Sequence, residues 1–312
     1  MFDPLGLLAP ITTRNKVFMQ QLWMSNLKWN ESFESLREGE LSKKWQHLVS
    51  ETHMGIQLQA PRRVVTEGSY EIHIFSDASK DSYGAVTYVR TLPNEEFPNG
   101  NVSIAMAKGK VAPLKGKKTI PKLELAAVVV AGNQVRFVRK AWDPPSGTKV
   151  FLWIDAKVVL QWLSQYNIKD TFVLNRVKQV RELCEGEDVS LRYIPSELNP
   201  ADLITKEQEA ATFINNPFWL KGPRFLSGEA EWPAEEEEFK LYPEGEEPMV
   251  SLFKVIVRDA KKTSFLKFFE NRDFMFNLRV LATVLAMLKS RSFNEAFKRD
   301  SVSKEEWMKL RP

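Results

Sequence analysis

The 312-residue chain has a single cysteine, Cys184, and only three histidines, at 47, 53 and 73. One thiol excludes an internal disulfide and any multi-cysteine zinc site, and it fits a reducing compartment. No apolar run reaches the ~18 residues of a membrane span. The N-terminus has no basic stretch followed by an apolar core, so neither a membrane partner nor a secretory leader is expected. An Asp-Thr-Gly or Asp-Ser-Gly loop, which an aspartic protease needs in each half-site, is also missing. No internal repeat is found.

What remains is an ordinary globular composition, 43% hydrophobic and 27% charged, long enough for about two domains. The net charge of +4 hides a division. Residues 229–247 hold nine Glu and one Lys, so the rest of the chain carries +12. A basic body suits a polyanionic partner, although a solvated Lys-rich surface explains the same count. Four stretches follow. Residues 1–60 open with turn signals, Asp3-Pro4 and Gly6, then a helical pattern carrying Val17, Phe18, Leu22 and Trp23. Residues 68–213 read as α/β. Residues 214–250 include the acidic, proline-containing run and read as an exposed linker. Residues 251–312 are basic with helical character.

Within 68–213 the pattern predicts strands over 71–77, 84–90 and 102–108, then a helix from Pro121 to about Lys140 with Leu123, Ala127, Val130, Phe137 and Val138 on its apolar face. A buried strand over 149–154 and a helix from Asp155 follow, the latter with Val158, Val159, Trp162, Leu163 and Tyr166 on one side. A helix over 170–184, a strand over 189–194 and a last helix opened by Asn199-Pro200 complete the region. Three strands, then alternation of helix and strand, give a mixed sheet covered by helices.

Four acids share one property in this scheme. Asp77 ends the first strand, Asp155 ends the fourth, Glu124 lies one turn into the long helix, and Asp202 lies in the first turn of the last helix. Ligand sites of open sheets lie beyond strand ends and at helix starts. Taken singly, each acid has a commoner explanation: an Asx-turn for Asp77, an N-cap for Asp155, an N3 position behind an Asn199 cap for Asp202, an exposed helical residue for Glu124. Taken together they point to a cation site. Two carboxylates 4 Å apart repel by about 4 kcal/mol at an effective dielectric near 20, and bound cations relieve that. Oxygen-only ligands suit Mg²⁺ or Mn²⁺. Two such ions serve phosphodiester hydrolysis. His73, inside the first strand, reads as structural.

The segments "FSDAS…YGAV", "APLKGKKTIPKLELAA", "WIDAKVVLQWL" and "YIPSELNPADLITK", in this order, resemble the ribonuclease H region of BEL/Pao-type LTR retrotransposon polyproteins. "FDPLGLLAPITTRNKVFMQQLW" resembles the end of the reverse transcriptase that precedes it. The resemblance implies a ribonuclease-H-like α/β fold, a five-stranded mixed sheet in the order 3-2-1-4-5 with strand 2 antiparallel to its neighbours. It implies two Mg²⁺ or Mn²⁺ ions on Asp77, Glu124, Asp155 and Asp202, with Asp77 and Asp155 central and bridging. It also implies a tail of polymerase thumb or connection over 1–60, a stretch leading toward an integrase over 251–312, and a place in a cytoplasmic virus-like particle or the nucleus. Ile154 and Ala156 stand where the family often has Ser or Thr, and no histidine follows His73. The family's other name, Pao peptidase, finds no protease loop here.

The substrate implied is an RNA–DNA hybrid, cut in its RNA strand. Six lysines precede or open the Glu124 helix (Lys108, Lys110, Lys115, Lys117, Lys118 and Lys122) and are candidate phosphate contacts. Ser76, Ser79 or backbone groups beside Asp77 are candidate readers of the 2′-hydroxyl. The rival reading is a catalytically silent nucleic-acid-binding remnant of the polyprotein.

Overall fold

Tyr70–Ala78 forms β1 of a computed structural model, and its alternation sets the two layers of the fold. Ile72 and Ile74 point to one side of the sheet, His73 and Phe75 to the other. The structure describes residues 2–25, 39–60, 69–234 and 239–241, apart from 56, 96, 98–99, 117, 146, 166–167, 207–208 and 215. The basic segment 251–312 and most of the acidic run lie outside the described residues.

Two helices precede the sheet, α1 (Ala9–Met24) and α2 (Glu40–Gly55). After β1 come β2 (Ser82–Thr91), β3 (Asn101–Val111), α3 (Ile120–Trp142), β4 (Val150–Ile154), α4 (Lys157–Leu163), α5 (Thr171–Leu183) and β5 (Val189–Tyr193). Short helices α6 (Asp202–Thr205), α7 (Ala210–Ile214) and α8 (Pro217–Lys221) close the described chain, with 3₁₀ turns at Ser196–Leu198 and Arg224–Ser227. The strand order is β3-β2-β1-β4-β5, antiparallel through β2 and parallel between β1, β4 and β5. This is the ribonuclease-H-like mixed sheet that the sequence predicts, each strand within three residues of its expected bounds.

On one face α3, α4 and α5 cover an aliphatic layer that includes Ile74, Leu125, Val128, Leu152, Leu160 and Val177. Phe137 and Val158 depart from the expected apolar faces and are exposed. The other face is aromatic. Phe75 stacks on Trp153 at 5.8 Å, and Phe225 and Trp232 close over Trp153 at 5.0 and 5.5 Å. The Trp153 indole donates to His73 Nδ1 at 3.1 Å, and His73 is fully buried, so its role is structural.

Two terminal segments build this aromatic face. The stretch expected as a linker from 214 onward is packed through residue 232. Trp219, Phe225 and Leu226 are almost fully buried, and the Trp219 indole donates to Leu7 O at 2.9 Å. The acidic composition masked three apolar anchors. The N-terminal stretch covers the edge strand β3, where Ala107 N donates to Leu5 O at 2.8 Å. Lys16 and Gln20 of α1 donate to the Gly109 and Ala112 carbonyls. An edge strand so covered cannot pair with another chain. Phe18 is buried against Leu41 and Leu48 of α2, whereas Trp23, expected on the same face, is 77% exposed. Five residues turn a helix by about 140°, which carries Trp23 away from the contact.

Trp219→Ala is expected to lower stability by about 3–5 kcal/mol, as for a fully buried large aromatic. Glu231→Ala, exposed in the acidic run, should change it by less than about 0.5 kcal/mol. Urea denaturation of the two variants checks the packed position of this segment.

Candidate metal centre

The parallel register of β1 and β4 pairs Ser76 with Ile154. One step further, Asp77 and Asp155 leave adjacent strands side by side, on the aromatic face by the alternation of the pleat. Glu124 reaches the same end of the sheet from the first turns of α3, which opens with Pro121 in its first turn. Ligand oxygens of Asp77, Glu124 and Asp155 all lie within 4.8 Å of one another.

Asp202 arrives from the other side, on α6. A pair of glycines makes its approach possible. Gly84 and Gly109 face each other across β2 and β3, and Gly84 also pairs with Asp77. A Cβ on either glycine would stand 2.9 Å from Ile204 Cγ2, and one on Gly84 would come 2.6 Å from Lys108 O. Side-chain-free backbone lets α6 settle onto the sheet beside Asp77.

The sequence predicts Asn199 as an N-cap with Asp202 at N3. The structure instead starts α6 at Asp202 and buries Asn199 to 1% exposure. The Asn199 amide donates to Ser76 O at 2.9 Å, its carbonyl accepts from Ala201 N at 3.1 Å, and its side chain also reaches the Asp155 carboxylate. Asn199 thus ties the ends of β1 and β4 to the loop that carries Asp202. Two further residues went unread in the sequence. The Thr205 hydroxyl donates to Asp77 Oδ2, and Lys206 pairs with Asp202 Oδ2 four residues before it. The Asp202–Lys206 spacing was visible as an i,i+4 pair. The Thr205 contact joins residues 128 apart and had no local signal.

Burial, then the neighbouring Asp202 charge, pushes the Asp77 carboxyl up to about 7. Burial and the charges of Asp77 and Asp155 push Glu124 up to about 9. Asp155 is raised by burial and by Asp202, against hydrogen bonds from Ser196 and Asn199. Glu124 Oε2, Asp155 Oδ1 and Asp202 Oδ1 are buried with no hydrogen-bond partner. Unpartnered oxygens on three of the four acids fit a divalent cation, whose charge removes the repulsion and whose coordination satisfies the oxygens. Among the described residues, Asp77, Glu124 and Asp155 are the acids close enough to share one ion, and Asp202 flanks them, held toward Lys206.

The other predicted contacts divide. Lys108 and Lys110 are exposed on edge strand β3, on the sheet face that α3 covers, and Lys115 and Lys118 are exposed in the loop before α3. Lys118 and Lys122 lie over the Phe172 ring at 4.7 and 5.6 Å, and Lys122 pairs with Asp170 at 2.6 Å. Lys117 lies outside the described residues. The serines do not suit the reading role expected of them. Ser76 is 1% exposed beneath the site, and the Ser79 hydroxyl accepts from the backbone of Asp81 and Ser82 inside the β1–β2 turn. Strand alternation turns Ser76 inward, and the tight turn occupies Ser79.

A buried acid whose folded value is raised contributes stability fully below its unfolded value and loses it as pH rises through the folded one. For Glu124 that window runs from about 4.5 to about 9. In EDTA, Glu124→Gln is therefore expected to gain stability over the parent as pH rises across this window, reaching roughly 4 °C or more in Tm near pH 9. Mg²⁺ should erase the gain by stabilising the parent. Melting curves at pH 5, 7 and 9 with and without Mg²⁺ measure it.

The strand order defines the fold, and several solved structures show likeness to the chain. The N-terminal RNase H domain of a Mycobacterium tuberculosis protein is 17% identical, over 46% of this chain and 98% of its own, with a TM-score of 0.32. LC11-RNase H1, solved with an RNA/DNA hybrid, is 14% identical over 42% and 88% with a TM-score of 0.30. The prototype foamy virus protease-reverse transcriptase is 19% identical over 44% of this chain and 19% of its own, with a TM-score of 0.26. No curated protein matches the chain. The family model described as "Pao retrotransposon-like RNaseH-like domain" matches residues 1–156, half of the chain, and takes in β1, α3 and β4 with Asp77, Glu124 and Asp155. The chain belongs to the Pao retrotransposon-like RNaseH-like domain family.

Proposed function

We propose that this chain is a retroelement ribonuclease H that hydrolyses the RNA strand of RNA–DNA hybrids. The observation that carries the reading is the convergence of Asp77, Glu124 and Asp155 within 4.8 Å, with Asp202 beside them and three of the four acids offering an orphaned oxygen. Asp77 and Asp155, on adjacent strands, with Glu124 and Asp202, are the residues that would hold two Mg²⁺ or Mn²⁺ ions. Such ions would supply an activated water and would stabilise the leaving 3′ oxygen. The chain's own residues hold the geometry. Thr205 orients Asp77, Asn199 braces Asp155, and Lys206 holds Asp202. Cleavage breaks the P–O3′ bond, leaving a 3′-hydroxyl and a 5′-phosphate.

The exposed lysines before α3 and the Lys118–Phe172–Lys122 group suit a nucleic-acid backbone, read through charge and shape with no base contact. Reverse transcriptase and integrase portions of one polyprotein are the partners this reading implies, with residues 1–60 as polymerase tail and 251–312 leading toward the integrase. Work in a virus-like particle or the nucleus suits it too. Among the described residues no helix is long and apolar enough to cross a membrane.

With Mg²⁺ or Mn²⁺, the full chain is expected to cut a labelled RNA–DNA hybrid, and EDTA should abolish the reaction. Asp77→Asn should lower the rate at least about 10²-fold while leaving hybrid binding in Ca²⁺ intact, since it removes a metal ligand and little else. Undiminished cleavage by Asp77→Asn would falsify the assignment.

A further inference from the structure

A second polar feature adjoins the carboxylates, on the side away from the α3 lysines. A cavity of about 120 Å³ lies between α1, α2, the β1–β2 turn and α6, lined by Thr13, Arg14, Lys44, His47, Ser82 and Thr205, among others. A single water needs only roughly 10–15 Å³ of such space. Thr205 is shared with the metal centre, where its hydroxyl donates to Asp77. The cavity therefore opens one residue from the cluster.

Its lining is basic and incompletely partnered. Arg14 is 13% exposed and commits Nη2 to Glu51 at 2.6 Å, while its Nε is buried with no hydrogen-bond partner. The Thr13 hydroxyl, in a residue 1% exposed, is unpartnered too. Lys44 donates to the neutral Gln21 Oε1 at 3.0 Å, and among the described residues no carboxylate pairs with it. His47 is exposed beside it. The one acid lining the cavity, Asp81, is 56% exposed and lies 3.9 Å from Lys80, and Arg14 is balanced by Glu51, so Lys44 carries the uncompensated charge among the described lining residues. Buried donors without acceptors and an ammonium without a counter-ion among the described residues call for an anion with several acceptor oxygens.

We propose that this cavity is a phosphate subsite, taking a backbone phosphate of the nucleic acid next to the one held at the carboxylates. It deepens the ribonuclease reading and rests on it for the identity of the substrate. The β1–β2 turn and α6 lie between the two sites, so a strand crossing Asp77 toward α2 meets Lys44 and His47. The helices before the sheet thereby belong to the substrate surface as well as to the fold.

The test measures hybrid binding to the full chain in Ca²⁺, across a salt series, for the parent and three variants. Lys44→Gln, which keeps a polar group beside Gln21, and Lys44→Glu remove the charge. Lys140→Glu, an exposed position near the far end of α3, is the control. The two Lys44 variants should bind about 10-fold or more weakly. The slope of log affinity on log salt should fall by about 0.9, the mark of one lost phosphate contact. Lys140→Glu should stay within about twofold of the parent. Parent-like affinity and slope in both Lys44 variants overturns the subsite, as does an equal loss in Lys140→Glu, which would reveal only a general charge effect. A parent that binds the hybrid without cutting it in Mg²⁺ or Mn²⁺ sinks the ribonuclease reading while the Lys44 comparison still decides the subsite.

Discussion

The constraint on which this structure turns is electrostatic. Four carboxylates from two strands and two helices are brought to one end of a sheet, three of them close enough to share an ion. Nothing in a chain folding for stability alone favours that arrangement. Each pair repels, burial raises the carboxyls of Asp77, Glu124 and Asp155, and three oxygens lack partners. The surrounding structure compensates with neutral and cationic braces. Thr205 donates to Asp77, Asn199 pins the β1 end, and Lys206 draws Asp202 aside. The aliphatic and aromatic layers then act as a rigid frame, since ligands on adjacent parallel strands can neither slide nor turn away without breaking register.

Much of the frame was legible in the chain. Alternation in "IHIF" and the closed run "VFLWI" mark β1 and β4, and an acid directly after each is a one-residue pattern that a reader can see. Three consecutive strands and two crossovers point to a mixed sheet, and the order of its strands came from the family resemblance. The braces were not legible, because they are contacts between side chains far apart in sequence. Asn199 shows the difficulty well. Local rules make an Asn before a short helix a cap, and only the assembled sheet end reveals that its amide has Ser76 O to satisfy. The burial of Ser76 and the turn bonds of Ser79 were hidden for a related reason. Proximity in sequence to Asp77 says nothing about which way a strand residue points or what a tight turn demands of a hydroxyl.

The terminal segments show a different limit. Composition describes an average, so nine glutamates hid Trp219, Phe225 and Trp232, which decide where the chain goes. On the N-terminal side, Glu51 of α2 is 2% exposed and binds both Arg14 of α1 and the backbone of Ala210 at the start of α7. A buried carboxylate with a cationic partner and a helix-start amide is well satisfied. It joins the chain before the sheet to the chain after it, so the aromatic layer is sealed by segments some 160 residues apart.

The glycine pair under α6 links the packing of the sheet to the candidate site. Gly84 and Gly109 sit in a central and an edge strand, where glycine is a poor choice for the sheet itself. A Cβ at Gly84 would press on the Lys108 carbonyl of β3, one at Gly109 on the Thr13 hydroxyl of α1, and either on Ile204 of the helix that carries Asp202. Leu203 and Ile204 of that helix turn are themselves part of the aromatic-face core. One added carbon at either glycine therefore disturbs the packing of the sheet and the placement of Asp202 together.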